Sequence, residues 1–306
     1  EKHFGKAAEA CHVSQPTLSL AIKKLEEELE LKLFERSAGE VTVTPLGDEV
    51  VRQAQQVLAQ AAEIKEIAKR GKDPLAGTLR LGVIYTIGPY LLPDLVREVI
   101  RAVPQMPLML EENMTARLLE MLRTGDIDCA ILAEPFPDTG LAIAPLYDEP
   151  FMAAVPASHP LASLRQVSSE QLRKETMLLL GTGHCFRDHV LEVCPEFARY
   201  ASHTDGMRKS FEGSSLETIK HMVAAGMGIT LVPRLSVPDL KPITRRSASS
   251  DQLPVRYIPV VDALGGPPPT RRVVLAWRRS FTRYEAIAAL RNAIYACALP
   301  GVTRLS

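Results

Sequence analysis

The sequence is poor in the features that would assign it to a special class at once. Only 5% of its 306 residues are aromatic, and it has one Trp. Lys and Arg number 36 and so do Asp and Glu, so no excess of one sign advertises nucleic acid or a membrane surface; any basic site must be local. No apolar run is long enough to span a bilayer, and no secretory leader pattern is present, so no membrane contact is expected. The five cysteines (Cys11, Cys129, Cys185, Cys194 and Cys297) are odd in number and widely spaced. That excludes a secreted disulfide framework. There is no C-x-x-C and no Cys/His cluster with zinc spacing, so neither a metal nor a cofactor is expected. The expected compartment is the cytoplasm, where a disulfide is usually transient or sensory. The chain opens at Glu1 rather than Met, in what reads as mid-helix, and the natural N-terminus is expected to be missing.

Hydrophobic content, at 46%, is ordinary for a globular protein, and the length suits two or three domains. The most informative stretch runs from Gly183 to Pro195. It places Cys185 and Cys194 nine positions apart on what reads as one helix, with Phe186, Val190, Val193 and Phe197 on a single stripe. In a helix those two Cα atoms stand about 13.5 Å apart, with the side chains on opposite faces. A disulfide needs about 4.4–6.8 Å. The pair can therefore bond only if the segment unwinds, which is the behaviour of a redox switch. Cys11, Cys129 and Cys297 sit in apolar contexts and are expected as small buried hydrophobes.

Along the chain, residues 3–36 read as short helices with a break at His12-Val13. Ser14 can cap the second, with Pro16 tolerated in its first turn. Leu18, Ile22, Leu25 and Leu29 form its apolar face. Gln15, Thr17, Ser19, Lys23 and Lys24 lie opposite, a set of short hydrogen-bonding side chains and cations that suits a major-groove reader. Residues 41–44 alternate like a strand. Pro45 opens a long helix over about 46–70 that reads as a dimerisation element, and 69–74 reads as a linker. Strands are expected at 78–84, 108–111, 129–133, 151–156, 229–232 and 272–277. Helices are expected after Gly88, over 115–124, after a capping box at 214–217 and over 284–298. This alternation predicts an α/β domain with a largely parallel sheet.

The run Ala7-Ala8, Val13 to Ser19, Ile22, Leu25-Glu26, Leu29, Leu33 to Arg36, Thr44-Pro45 and Gly47 resembles the winged helix-turn-helix of LysR-type transcriptional regulators. Three positions depart from the usual pattern: Leu20 on the DNA-facing side, Glu30 in place of a helix-ending Gly, and Glu40 in the wing. The remainder resembles that family's effector domain, two lobes related to periplasmic substrate-binding proteins. Gly183-His184-Cys185 with Arg187-Asp188 and Cys194, Thr86 to Pro93, and Ser215 to Gly226 are similar to its hydrogen-peroxide-sensing OxyR branch. The resemblance implies a DNA-binding regulator, not an enzyme, that controls antioxidant genes. It implies Cys185 as the peroxide-reacting residue and Cys194 as its disulfide partner, with Thr86, Thr115 and His184 holding or polarising peroxide. Ser14, Gln15, Pro16, Thr17, Ser19, Lys23, Lys24 and Arg36 are the expected DNA contacts. Expected partners are double-stranded promoter DNA, a second copy pairing onward to a homotetramer, and RNA polymerase. The expected domains are 1–45 (DNA-binding), 46–73 (linker helix) and 77–306 (sensor), with lobe one at 77–147 and 253–306 and lobe two at 148–252.

Only a thiolate attacks peroxide well, and a free cysteine with a pKa of about 8.5 is less than about a tenth ionised near neutral pH. A helix N-terminus, His184 and Arg187 are expected to lower that of Cys185. Full ionisation gains only about tenfold, so donors aimed at the leaving oxygen must supply the rest. Other readings remain open at this point: a regulator that binds a metabolite between its lobes, a thiol peroxidase, and a periplasmic binding protein. The N-terminal helices disfavour the last two.

Overall fold

The structure, a computed structural model, describes residues 3–37, 40–69, 73–137, 140–199, 210–213, 215–238, 254–262 and 266–305. It divides into two units, Glu1–Lys69 and Arg70–Ser306.

In the first unit, helix α1 (Phe4–Ala10) is followed by a turn in which His12 adopts φ 55, and then by α2 (Gln15–Glu28). Ser14 caps α2 as expected, accepting the Thr17 N–H at 3.3 Å, with Pro16 in the first turn. Glu30 stands at φ 53, so the helix does end in a left-handed residue without the glycine that would adopt it freely. Strands β1 (Phe34–Ser37) and β2 (Glu40–Val43) pair antiparallel to form the wing, and α3 (Pro45–Lys69) follows. Two expectations need correction. Cys11 is exposed, because α1 stops at Ala10 and carries it past the buried stripe. Leu18 and Ile22 are half-buried, but Leu25 and Leu29 are exposed, since so small a unit cannot cover both ends of the stripe. Next to them Glu26 is buried, accepting the N–H groups of Leu33 (2.9 Å) and Phe34 (3.2 Å) and the Lys32 ammonium. Burial works to raise its pKa, but those donors outweigh it and hold the carboxylate below its ordinary range.

The second unit begins with β3 (Leu79–Ile84), α4 (Gly88–Ala102), β4 (Leu108–Asn113), α5 (Thr115–Thr124), β5 (Cys129–Ala133) and the long β6 (Leu141–Pro156). Next come β7 (Val167–Ser168), α6 (Ser169–Leu172), β8 (Met177–Leu180), α7 (Cys185–Val193), β9 (Ser210–Gly213), α8 (Leu216–Ala224) and β10 (Thr230–Pro233). The last elements are β11 (Val255–Val261), β12 (Thr270–Arg278), α9 (Tyr284–Ala296) and β13 (Thr303–Arg304). Two lobes result. Strand β3 pairs parallel with β4 and β5, and β12 runs antiparallel between β5 and the first part of β6. Beyond Pro150, β6 enters the second lobe and pairs antiparallel with β10 and β11.

The sheet is therefore mixed, not largely parallel as the alternation predicted. One strand of 16 residues, β6, serves both lobes and forces antiparallel neighbours in each. Each lobe has its own core. Leu81, Leu95, Leu118, Ile131 and Leu290 belong to the first; Phe151, Leu179, Phe186, Ile219 and Val232 belong to the second. Val255, Ile258 and Val260 of β11 pack in the second core, so the expected return to lobe one near residue 253 moves to the segment after Val261. The capping box expected before α8 does not form at its N-cap, Ser215, whose side chain makes no cap hydrogen bond; Ser214 lies outside the described residues. Glu217 instead accepts from Tyr90 of α4 and from Lys220, fastening one lobe to the other. Buried Cys129 and Cys297 are small core residues, as expected.

Candidate functional site

Parallel pairing of β3 with β4 sets Ile84 opposite Asn113, so the residues that follow each strand emerge side by side at the C-terminal edge. This is where open α/β sheets present their ligand sites. Tyr85 and Thr86 follow β3, and Met114 and Thr115 follow β4. Between these segments and the start of α7 lies a cavity of about 10 Å³, lined by Ile84, Tyr85, Thr86, Asn113, Met114, Thr115, His184 and Cys185. That is roughly room for one water-sized molecule. The four residues expected to meet peroxide thus come together from three separate parts of the chain.

Cys185 is the first residue of α7 and half-buried, and His184 is the N-cap, buried with its ring 5.9 Å from that of Tyr85. Gly183 makes the approach possible. It stands at φ +98, and a Cβ there would meet the Met114 sulfur at 2.8 Å. Thr115 Oγ1 is buried with no hydrogen-bond partner, an acceptor and donor held open beside the cavity. Thr86 is buried and fixed by Arg271, whose Nη1 donates to Thr86 Oγ1 (2.8 Å) and Nη2 to Thr86 O (3.0 Å). Because Thr86 accepts from Arg271, its own hydroxyl proton is available to donate elsewhere.

Arg271 was not singled out in the sequence. It is buried, as is Glu149, whose Oε2 accepts from Arg271 Nε at 2.9 Å and Nη2 at 2.8 Å. Glu149 Oε1 accepts the Leu235 N–H at 2.7 Å. A buried charge needs such complete pairing, and here the pair also sets the orientation of Thr86. Its members are 122 positions apart, each just outside an expected strand, and no local pattern marks them. Arg187, expected near the thiol, instead donates to the Leu180 carbonyl at 2.9 Å and does not line the cavity.

Cys194 is placed differently. Helix α7 ends at Val193, so Cys194 is its C-cap and not part of the helix as the stripe predicted; Pro195 begins a short 3₁₀ turn to Arg199 that carries Phe197. Cys185 packs against the first core, whereas Cys194 is wholly inside the second. Burial, with a smaller contribution from Glu196, pushes the Cys194 thiol up to about 12. All five cysteines are free.

At the N-terminal end of α2, Ser14, Gln15, Pro16 and Thr17 are exposed, as are Lys23 and Lys24, while Ser19 is half-buried. Ser14 Oγ also lies 2.7 Å from Thr17 Oγ1, and Lys23 lies 3.5 Å from Glu27. Arg36 is on β1, with its side chain outside the described residues. Among the described residues, no group of His, Cys, Asp and Glu could hold a metal ion, and no helix is long and apolar enough to cross a membrane.

Residues 1–48 match the family described as bacterial regulatory helix-turn-helix protein, lysR family, and residues 72–296 match the LysR substrate binding domain. The chain is 39% identical over 290 residues to the hydrogen peroxide-inducible genes activator of Pectobacterium carotovorum subsp. carotovorum, covering 94% of this chain and 90% of that one. The full-length structure of an OxyR variant from Pseudomonas aeruginosa aligns with a TM-score of 0.73 at 46% identity, over 97% of this chain and 94% of that one. A hydrogen-peroxide-bound OxyR variant from Corynebacterium glutamicum aligns with a TM-score of 0.62 at 32% identity, over 96% and 87%. The chain therefore belongs to the LysR family of bacterial regulators and, within it, to the OxyR branch.

Proposed function

We propose that this protein is a DNA-binding transcriptional regulator that senses hydrogen peroxide through a reversible Cys185–Cys194 disulfide and controls oxidative-stress genes. The observation that carries the proposal is the cavity of about 10 Å³ that gathers Cys185, Thr86, Thr115 and His184. In the first step the Cys185 thiolate attacks one peroxide oxygen. The O–O bond breaks, the sulfur becomes a sulfenic acid, and the other oxygen leaves as water after taking up a proton. Negative charge develops on that leaving oxygen. The Thr86 hydroxyl, oriented by Arg271, the unpartnered Thr115 hydroxyl and His184 are the donors suited to meet it. In the second step the Cys194 sulfur displaces the sulfenic oxygen, which leaves as water. The second step requires α7 to unravel, because the two thiols belong to different cores.

Residues 1–45 act as the DNA-binding domain, 46–73 as the linker helix and 77–306 as the redox sensor. Ser14, Gln15, Pro16, Thr17, Ser19, Lys23, Lys24 and Arg36 form the DNA-contacting set on promoter duplex, and RNA polymerase is the downstream partner in the cytoplasm. Val57, Leu58 and Ile64 leave more than half of their surface exposed along α3, which supports a homodimer through this helix, pairing onward to a tetramer. The deciding experiment treats reduced protein with stoichiometric peroxide and maps disulfides by non-reducing peptide mass spectrometry. A Cys185–Cys194 link, lost in Cys185→Ser, is expected. Free or scrambled thiols would overturn the proposal and leave a LysR-family protein with a different effector.

A further inference from the structure

His189 lies on α7 one turn beyond Cys185, and the chemistry above does not use it. Its ring is buried between Phe151 of β6 (centroids 6.3 Å apart) and Phe186 (6.4 Å). Nε2 lies 2.7 Å from the backbone carbonyl of Glu134, in the segment that follows β5 in lobe one. Nδ1 is buried and has no hydrogen-bond partner. This arrangement suits one form of the ring: the neutral tautomer, with the proton on Nε2 donated to the carbonyl. A second proton would place an unpaired N–H and a charge among aromatic rings. The charged groups that face the ring are few. Arg271, from β12, stands 5.1 Å over the Phe186 ring, is paired with Glu149 of β6, and opposes a second cation. Asp188 and Glu192 on α7 itself weakly favour one.

We propose that neutral His189 is a positioning residue that latches α7 to lobe one, so that protonating it releases the helix and hastens the condensation of Cys185 with Cys194. The inference rests on the disulfide reading given above. Burial, foremost, holds the ring's pKa below its ordinary 6.5; the Glu134 hydrogen bond, which survives protonation, works against it, Arg271 adds to the lowering, and Glu192 and Asp188 oppose it least. Once α7 unravels, the ring titrates near 6.5. The unravelled state therefore binds more protons just below that pH, and the packed helix loses stability there. Above it the latch has its full strength. No further reactant is needed, because the step remains sulfenic acid plus thiol giving disulfide plus water.

The test compares the wild type with His189→Gln, whose amide can still donate to the Glu134 carbonyl but does not titrate. After a single peroxide pulse, condensation is followed at pH 7.5 and 5.5. Alkylation of Cys194 in the reduced protein by iodoacetamide reports helix opening independently of any disulfide. Acid slows thiol chemistry equally in both proteins, so the ratio between them isolates the latch. The ratio is expected near one at pH 7.5. At pH 5.5 the wild type should open and condense faster than His189→Gln, by at most the roughly tenfold set by an ordinary imidazole. His189→Leu, which lacks the donor, should open faster at both pH values. Equal wild-type and His189→Gln opening at pH 5.5, or wild-type opening rates in His189→Leu, would overturn the latch. Failure of the disulfide with the alkylation ratio intact would overturn the switch reading instead.

Discussion

Cys185 and Cys194 stand nine positions apart and occupy opposite surroundings. Cys185 is half-buried at a helix start, beside a small cavity whose lining includes an unpartnered hydroxyl. Cys194 is sealed in the second core, in company with Phe186, Val190 and Phe197, and its thiol is pushed up to about 12. The first sulfur lines a cavity with room for about one water-sized molecule, while the second is enclosed in the core beyond the helix between them. Two identical side chains thus differ in burial, in their place on the helix and in what surrounds them. Their separation also makes the switch bistable, because the disulfide and the packed helix are mutually exclusive.

The largest effects should come from removing one sulfur at a time. Cys185→Ser should abolish peroxide-driven oxidation, whereas Cys194→Ser should still gain one oxygen at Cys185 and form no intramolecular disulfide, as read by intact-protein mass spectrometry. Equal loss in both variants would end the distinction between the two thiols. Next in size is the packing that opposes the disulfide. Phe186→Ala should remove about 3–5 kcal/mol from the packed helix. At roughly 1.4 kcal/mol per 30 mV, that moves the disulfide potential about 60–110 mV in the reducing direction, measurable against glutathione buffers. An unchanged potential would mean that Phe186 remains equally buried in both redox states.

Thr115→Val should lower the rate of Cys185 oxidation about a hundredfold in stopped-flow measurements, the usual effect of losing one charge-stabilising donor. Its thermal stability should hold or rise, because a buried hydroxyl without a partner is removed. A rate equal to wild type would take Thr115 out of the peroxide site. The smallest effect at neutral pH belongs to the Cys194 proton. Its pKa is raised from 9.0 to about 12 in the folded protein, so the folded state holds the proton more tightly. Stability from this group is complete below about pH 9 and is lost as pH rises from there towards about 12. Alkaline titration of unfolding should give a shallower slope in Cys194→Ala than in the wild type, with buried Cys297, Cys129 and Tyr147 supplying the remainder.

The helices and most strands are legible in the sequence because each follows a short-range period. Strand β3, helix α5 and the Ser14 cap need only their own neighbours to be inferred. Arg271 and Glu149 are a different case. They sit 122 positions apart, and nothing in either strand marks it as one half of a buried pair. Glu26 is similar: an acid within a helical pattern reads as solvated, and only the returning backbone at Leu33 and Phe34 shows why it is inside. The mixed sheet was hidden for the same reason. Residues 151–156 look like an independent strand until β6 is seen to run on through both lobes from Leu141.

By itself the sequence determined the winged helix-turn-helix, the α/β texture of the remainder, and the two cysteines that cannot bond within a regular helix. Helical rise, capping chemistry and hydrophobic period are local properties and can be read from a few residues. Tertiary structure alone decided that Thr86, Thr115, His184 and Cys185 share one cavity, that Arg271 orients Thr86, that Cys11 is exposed and that the two thiols belong to separate cores. Those outcomes depend on which distant strands pair and on what each lobe buries, and no local pattern of residues encodes either.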